Sequence, residues 1–422
     1  MNVLHIRALC TRARQFDLFF GIVRQVRREA ARRCAKSSNS HRLGVKLPNG
    51  VAERLCNLPE SSSRKRILSL CETALGGVGR YQDSLRALAP HGYDLNIVMP
   101  EEDARILADR TGVIGFRRGG RTLGALGRFL RAFRTARREI RPDIYVFNST
   151  FSLLALLALR AMGDRSPALY CAHAWAISNY DPASPKGRIV RAIEGRLSGL
   201  ADLVVNVSQG DLALARRHGY RGRHVVVENA VTDRAPDTAP APFARGSEDE
   251  IHLLFVGRFD HQKGLDILLS AFASARRAGP HLHLHLVGGP VRGGVTPDLP
   301  EGVTMHGWQP PEALNGYYAA ADALIVPSRW EGLPLIVPEA LRNRTPVLVS
   351  DRSDMGALVA SGRTGFVFAL EPDALVGMLA SLDRPALQAM RGPARQSYEN
   401  RFTLERFARE MAVHLAELEA RR

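Results

Sequence analysis

The sequence predicts an α/β protein of two doubly wound domains facing one another across a ligand cleft, behind a basic N-terminal extension. Three observations predict it. Short apolar, β-branched runs alternate with amphipathic stretches from Arg66 onward, the pattern of parallel strands joined by crossover helices. The alternation runs through two series, parted by Thr232–Asp249, a stretch rich in Pro, Ala and charge that reads as a domain linker. The chain of 422 residues, 45% apolar and 24% charged, is long enough for two cores and has an ordinary globular balance.

In the first series, Ile67–Cys71 reads as a buried strand. A glycine loop (Gly76, Gly77, Gly79) and a helix near Tyr81–Leu88 follow. Asp94–Met99, Asp143–Phe147, Ala168–Cys171, Asp202–Val207 and His224–Glu228 read as further strands. Arg121–Ile140 is a long basic helix closed by Pro142, and Phe151–Met162 a second helix. Ser208 stands where a hydroxyl would cap the next helix. The second series has strands at Ile251–Val256, Leu282–Val287, Val303–His306, Ala323–Val326, Pro346–Ser350 and Gly365–Phe368, each followed by a helical segment. An amphipathic helix, Thr403–Arg422, closes the chain. This places an extension at 1–65, one domain at 66–235, a second at 250–395 and a C-terminal helix at 396–422. Ligands are expected at the carboxyl ends of the strands.

The net charge of +16 is uneven: residues 1–66 hold fifteen Arg or Lys and four Asp or Glu. Such an arm, with a short basic helix at Arg24–Arg33, can rest on an anionic membrane surface or stand as a solvated extension. It has no interleaved aromatics or zinc spacing, so nucleic acid is not expected as a partner. Cys10, Cys34, Cys56, Cys71 and Cys171 form no C-x-x-C pair and are odd in number. They read as free thiols in a reducing compartment, and the protein as cytoplasmic. No apolar run reaches the roughly 18–20 residues of a membrane span.

Four constellations carry chemistry. Val326 ends a strand. Glu331 follows on a loop, Gly332 frees the backbone, and a helix is expected to start there, with Glu339 about two turns in. Helix-start amides suit phosphate and carboxylates suit sugar hydroxyls. Gly257–Gly264 ends another strand, where the Arg258 fork and the Lys263 point charge can grip a diphosphate. Together the two units make an inventory for a nucleotide sugar. The run Gly76-Gly77-Val78-Gly79 lets a ligand approach the backbone closely, although it lacks the G-x-G-x-x-G spacing. His173 follows a strand in the same domain and can meet a hydroxyl or phosphate, or serve packing alone. His281, His283 and His285 alternate on one strand face and can ligate a metal, but no carboxylate or cysteine partner is evident, so a half-exposed face is the expectation. There is no Asp-x-Asp pair, HExxH, G-x-S-x-G or Walker loop.

Taken in order, Gly257-Arg258…Lys263-Gly264, Leu286–Gly288, His306-Gly307, Tyr318–Asp322, Pro327–Pro334, Pro338–Ala340 and Pro346-Val347 resemble the retaining, nucleotide-sugar-dependent glycosyltransferases of the GT-B fold, over about residues 250–370. Gly76–Tyr81, His173, Val207-Ser208 and Glu228–Ala230 match more loosely over 66–230. The resemblance implies two Rossmann-like domains, an N-terminal one for the acceptor and a C-terminal one for the nucleotide sugar. It implies that Arg258 and Lys263 hold the diphosphate, Glu339 the ribose and Glu331 the transferred sugar. Amides at Gly332 and Leu333, beside Pro334, would meet phosphate or sugar oxygens, and Trp308 the base. Gly76 and Gly77 would approach the diphosphate, and His173 the donor sugar or reacting centre. No cofactor and no metal are implied; the partners are a nucleotide sugar and a carbohydrate or lipid-linked acceptor. An epimerase or phosphorylase on the same fold, or a non-catalytic nucleotide-sugar-binding module, are the alternative readings. One departure stands out: where family members often carry Gly-x-x-Glu, this chain has Ala357, so no role is carried to it.

Overall fold

The first series folds as a parallel sheet in the spatial order 113–116, 93–100, 65–71, 144–148, 168–171, 203–206, 224–226, the second as a parallel sheet in the order 303–307, 282–290, 251–259, 323–326, 347–350, 365–368. The structure is a computed structural model. It describes residues 64–421 except 75, 121, 234–240, 280 and 291–296, and leaves out the side chain of Leu123. The basic extension through residue 63, its expected helix at Arg24–Arg33, and Cys10, Cys34 and Cys56 lie outside the described residues, as does the middle of the linker.

The first sheet comprises β1 (Lys65–Cys71), β2 (Tyr93–Pro100), β3 (Val113–Phe116), β4 (Ile144–Asn148), β5 (Ala168–Cys171), β6 (Leu203–Asn206) and β7 (His224–Val226). Its helices are α1 (Gly77–Arg86), α2 (Leu123–Ile140), α3 (Ser152–Ala161), α4 (Pro185–Leu197) and α5 (Gln209–Arg217). β1 is buried from Ile67 to Cys71, because helices cover both faces of a parallel sheet. The Ser208 hydroxyl accepts from the Asp211 amide at 3.0 Å and caps α5 as expected. Two expectations are corrected. β3 was not expected: four residues ending in a Gly-Phe pair give no usable periodicity, and the strand forms by adding to the edge of β2. The first helix starts at Gly77, not Tyr81, so only Gly76 (φ 69°) remains as a turn glycine.

The second sheet comprises β8 (Ile251–Phe259), β9 (Leu282–Pro290), β10 (Val303–Gly307), β11 (Ala323–Val326), β12 (Val347–Ser350) and β13 (Gly365–Phe368). Its helices are α6 (Leu265–Ala278), α7 (Leu314–Ala320), α8 (Ile336–Arg342), α9 (Pro372–Ala380) and α10 (Arg384–Ala389). The terminal stretch is two helices, α11 (Arg391–Arg401) and α12 (Leu404–Ala420). They break at Phe402-Thr403, where the Thr403 hydroxyl caps α12.

α12 does not stay with the second sheet. Its Phe407, Met411 and Leu415 join one apolar cluster with Tyr81 and Leu85 of α1, Leu88 just after it and Ile67 of β1. Phe407 meets Tyr81 edge-on at 5.6 Å. The chain therefore crosses from its second sheet back to its first and closes both halves into one body. Phe407 is fully buried. Replacing Phe407 by Ala should lower unfolding free energy by about 3–5 kcal/mol in urea titrations, the cost of a large core cavity.

Candidate active site

At the carboxyl end of β8 the chain turns through Asp260–Lys263 before α6. The Asp260 side chain accepts from the Lys263 amide at 3.2 Å and fixes the turn. Gly264 has φ 68°, and a Cβ there would fall 1.9 Å from the Pro327 carbonyl oxygen, so no other residue fits. The close approach brings this loop against the one after β11. The Arg329 amide donates to the Gln262 carbonyl at 2.8 Å, and the Gln262 amide donates to the Trp330 carbonyl at 3.0 Å. Arg329 grips both oxygens of Asp266 at 2.8 and 2.6 Å.

Lys263 and Glu331 meet in that junction. Lys263 Nζ donates to Glu331 Oε1 at 2.6 Å, and the Ser328 hydroxyl donates to the same oxygen at 2.8 Å. Both side chains are largely buried. Arg258 stands beside them half exposed, braced by Gln262 Oε1 at 3.0 Å and Asp260 at 3.2 Å. Its guanidinium is open to an incoming anion.

Glu339 lies elsewhere. α8 begins at Ile336, not at Gly332, so Glu339 is in its first turn rather than two turns in. Gly332, Leu333 and Pro334 form an irregular buried segment ahead of the helix, and their amides are not its starting turn. The physical reason is Pro334, which biases Leu333 away from helical geometry. Glu339 is 5% exposed, accepts from the Tyr318 hydroxyl at 2.8 Å, and pairs with Arg80 of α1. The two carboxylates thus have separate cations, one from each half of the molecule.

The first sheet meets this edge through three contacts. A Cβ on Gly332 would come within 3.0 Å of the Ala174 amide nitrogen, 3.1 Å of Val207 and 3.2 Å of Asp211. Asn229 donates to the Leu333 carbonyl at 3.3 Å. A Cβ on Gly77 would lie 3.9 Å from Leu335, whereas Gly76 faces open space. Burial pushes the Asp211 carboxyl up to about 7.

His173 ends a buried polar chain. Gln82 accepts from the Ser69 hydroxyl at 2.6 Å, and Asn148 donates to Ser69 at 2.9 Å and to the Leu70 carbonyl at 3.2 Å. The Asn148 amide nitrogen is thereby used, which leaves Oδ1 to accept from His173 Nε2–H at 2.9 Å. The other ring nitrogen faces the Cys171 sulfur at 3.7 Å, and Tyr81 packs edge-on at 4.5 Å. Burial lowers the imidazole to about 3. His173 and Ala174 both adopt positive φ, 55° and 83°, in the turn that meets Gly332. Trp308, after β10, is 61% exposed, with its indole edge beside Gly289.

The structure joins Lys263 to Glu331, sets Arg258 on the same loop as Lys263 against Gln262 and Asp260, and sets Gly332, Leu333, Glu339 and Gly77 along the facing edges. Sequence reasoning missed Arg80, Tyr318 and Asn229 as partners. Arg80 follows the glycine run and Tyr318 precedes Asp322 in recognisable text, but no spacing links residues 259 positions apart.

Two facing parallel sheets, with paired charges at the carboxyl ends of their strands, define a GT-B fold. The profile described as "Glycosyl transferases group 1" matches residues 250–382, and "Glycosyl transferase 4-like domain" matches residues 76–230. The chain belongs to this glycosyltransferase family. It is 24% identical over 314 residues to an uncharacterized 41.2 kDa protein in the cps region of Klebsiella pneumoniae, covering 72% of this chain and 86% of that one. It is 31% identical over 274 residues to a D-inositol 3-phosphate glycosyltransferase of Streptomyces avermitilis, covering 58% of each. Anabaena HepE in complex with UDP and glucose superposes with a TM-score of 0.70 at 18% identity, over 84% of this chain and all of that one.

His173 sets a testable pH response. Its ordinary value is 6.5 and its folded value about 3, so between these the unfolded chain holds the extra proton. Its contribution is present at pH 7 and is lost as pH falls below 6.5, at up to about 1.4 kcal/mol per pH unit. Denaturant titrations at pH 7, 6 and 5 should show a shallower decline for His173→Asn than for the wild type.

Proposed function

We propose that this glycosyltransferase moves a sugar from a nucleotide-diphosphate donor to an acceptor hydroxyl, with retention and without a catalytic metal, in surface polysaccharide or lipopolysaccharide synthesis. The observation that carries the reading is the Lys263–Glu331–Ser328 cluster beside the open Arg258 fork. Lys263, buried against Glu331, and Arg258, braced by Gln262 and Asp260, would stand where a departing diphosphate gathers charge, and pre-positioned donors stabilise such charge with little reorganisation. The sequence has no Asp-x-Asp pair to hold a nucleotide-bound metal, so Arg258 and Lys263 take that task.

In the proposed cycle the diphosphate binds Arg258 and Lys263, with Gly76 and Gly77 giving it room from the facing sheet. The ribose hydroxyls bind Glu339, exchanging with its Arg80 contact. The base lies near Trp308, and Glu331 stands beside the sugar, with the Gly332 and Leu333 backbone and Pro334 walling it. The glycosidic C–O bond to the diphosphate breaks as the acceptor oxygen attacks from the same face. A donor phosphate oxygen takes the acceptor proton. Neither carboxylate acts as nucleophile, unlike the two-carboxylate hydrolases. His173, neutral and held by Asn148, contributes position and not proton transfer. HepE was crystallised with UDP and glucose, which supports a nucleotide-sugar donor.

The acceptor is the less constrained half. The Klebsiella relative lies in a cps region, which supports polysaccharide chemistry. The Streptomyces relative is named for D-inositol 3-phosphate, so a small phosphorylated acceptor belongs in any assay panel. Among the described residues no helix is long and apolar enough to cross a membrane. We place the protein at the cytoplasmic face of a membrane, held peripherally by the extension at 1–65 and by exposed Arg131, Arg134 and Arg138 of α2.

Glu331→Gln and Lys263→Ala should each lower sugar transfer about 100-fold or more while circular dichroism stays unchanged. Product released by both variants at the wild-type rate overturns the site. Deleting residues 1–65 should abolish sedimentation with anionic vesicles and leave transfer to a soluble acceptor intact.

A further inference from the structure

The amino-terminal end of the second sheet holds a second convergence of chemical groups, remote from the first. His252 of β8 and His283 of β9 occupy directly paired positions on neighbouring parallel strands. That pairing holds two imidazoles on one face about one strand spacing apart. Their rings stack 4.8 Å apart and within 10° of parallel. Glu250 precedes His252 by two positions, so the strand's period of two brings its carboxylate to the same face. Glu250 Oε2 lies 3.1 Å from His252 Nε2, and Glu250 Oε1 lies 3.6 Å from His283 Nε2. One ligand atom from each of the three falls within 4.8 Å of the others. The carboxylate missing from the alternating histidines in the sequence is Glu250, supplied from the residue just ahead of β8 and not by β9 itself.

We propose that Glu250, His252 and His283 bind a divalent cation of the zinc class, with a water molecule completing the site. Two imidazoles and one carboxylate are a common zinc set that leaves one position open. Bonds of about 2.0–2.1 Å in a tetrahedron put neighbouring ligand atoms about 3.3 Å apart. Glu250 reaches one imidazole at 3.1 Å through Oε2 and the other at 3.6 Å through Oε1, and with all three groups within 4.8 Å, small rotations of the carboxylate and rings would bring one atom from each to that spacing.

The surroundings fit as well. The Gly246 amide donates to Glu250 Oε2 at 2.7 Å and orients the carboxylate. His252 Nδ1 meets His285 Nε2 at 2.9 Å, and His285 Nδ1 meets His306 Nε2 at 3.0 Å. With Nδ1–H donating at each step, His252 Nε2 keeps its lone pair for a metal, the role outer hydrogen bonds play around ligating histidines. Phe243 stacks on His285 at 3.7 Å and closes the inner side. Glu250 and His283 are 18% and 29% exposed, so a cation can enter from solvent. Six residues of strand separate His252 from Arg258, about 20 Å at 3.3 Å per residue. The cation would therefore take no part in sugar transfer. It would fasten the end of the inter-domain linker to the sheet.

The test uses tag-free, full-length protein stripped with a chelator and titrated with Zn²⁺ against a chromophoric indicator. One zinc per chain should bind, and zinc should raise the melting temperature. Glu250→Gln and His283→Gln should each lose that site and the thermal gain, whereas His281→Gln, two positions away and exposed just ahead of β9, should keep both. His285→Phe should weaken affinity about 10–100-fold, as loss of an outer hydrogen bond does. Absence of a stoichiometric zinc, or zinc binding unchanged in Glu250→Gln and His283→Gln, overturns the proposal. In that case the three side chains form only a hydrogen-bonded cluster.

Discussion

A carboxylate that leaves water must meet a cation or strong donors, and this requirement organises the cleft. Glu331 and Glu339 are both nearly buried, and each is neutralised from a different direction. Lys263 reaches Glu331 within one sheet, which locks the loop after β8 to the loop after β11. Arg80 reaches Glu339 from the facing half, which makes the ion pair a tie across the cleft. One interaction therefore sets the site's internal geometry, and the other sets the separation of its two walls.

The backbone has to allow these approaches. Gly264 and Gly288 sit where a Cβ would strike the Pro327 and Gly257 carbonyl oxygens at 1.9 and 1.8 Å. Gly332 faces the positive-φ turn at His173-Ala174 with no room for a larger side chain to spare. Side chains at these points would hold the loops apart and leave Lys263 and Glu331 without one another. The irregular stretch ahead of α8 has the same logic. It lets Leu333 bury and present its carbonyl to Asn229, which a helical start at Gly332 would have consumed internally.

Much of this was legible in the sequence, for identifiable reasons. Buried parallel strands announce themselves as short apolar runs, and Ala168–Cys171, Ala323–Val326 and Gly365–Phe368 have the expected bounds. The cation loop and the first carboxylate were legible because local chemistry and family text coincide there. β3 was not, since its pairing with β2 and not its own pattern makes it a strand. The Arg80–Glu339 and Glu250–His283 pairs were not either. Each depends on which strands and helices become neighbours, and a linear pattern does not carry that. Arg128 and Arg137 show the same limit on charge. They lie in the basic helix α2, yet they are spent on the Arg117 and Arg118 carbonyls and on Asp164. Of the five, only Arg137 meets a carboxylate, while Arg131, Arg134 and Arg138 point outward with no such pairing among the described residues.

Strand β8 shows how one element serves two ends. Its interior is apolar on both sides, with Leu253 and Phe255 in one core cluster and Leu254 and Val256 in another. A slip of one residue would exchange these side chains between two differently shaped clusters and break the His252–His283 pairing. That constraint fixes Gly257 and Arg258 at its carboxyl end relative to Lys263, and fixes His252 opposite His283 at its start. Arg258 and the distal histidines are then held by the same register. Anything that tightens the start of β8 against β9 also stiffens the frame on which Arg258 stands. Coupling of this kind needs no moving part, because the strand's own register carries it.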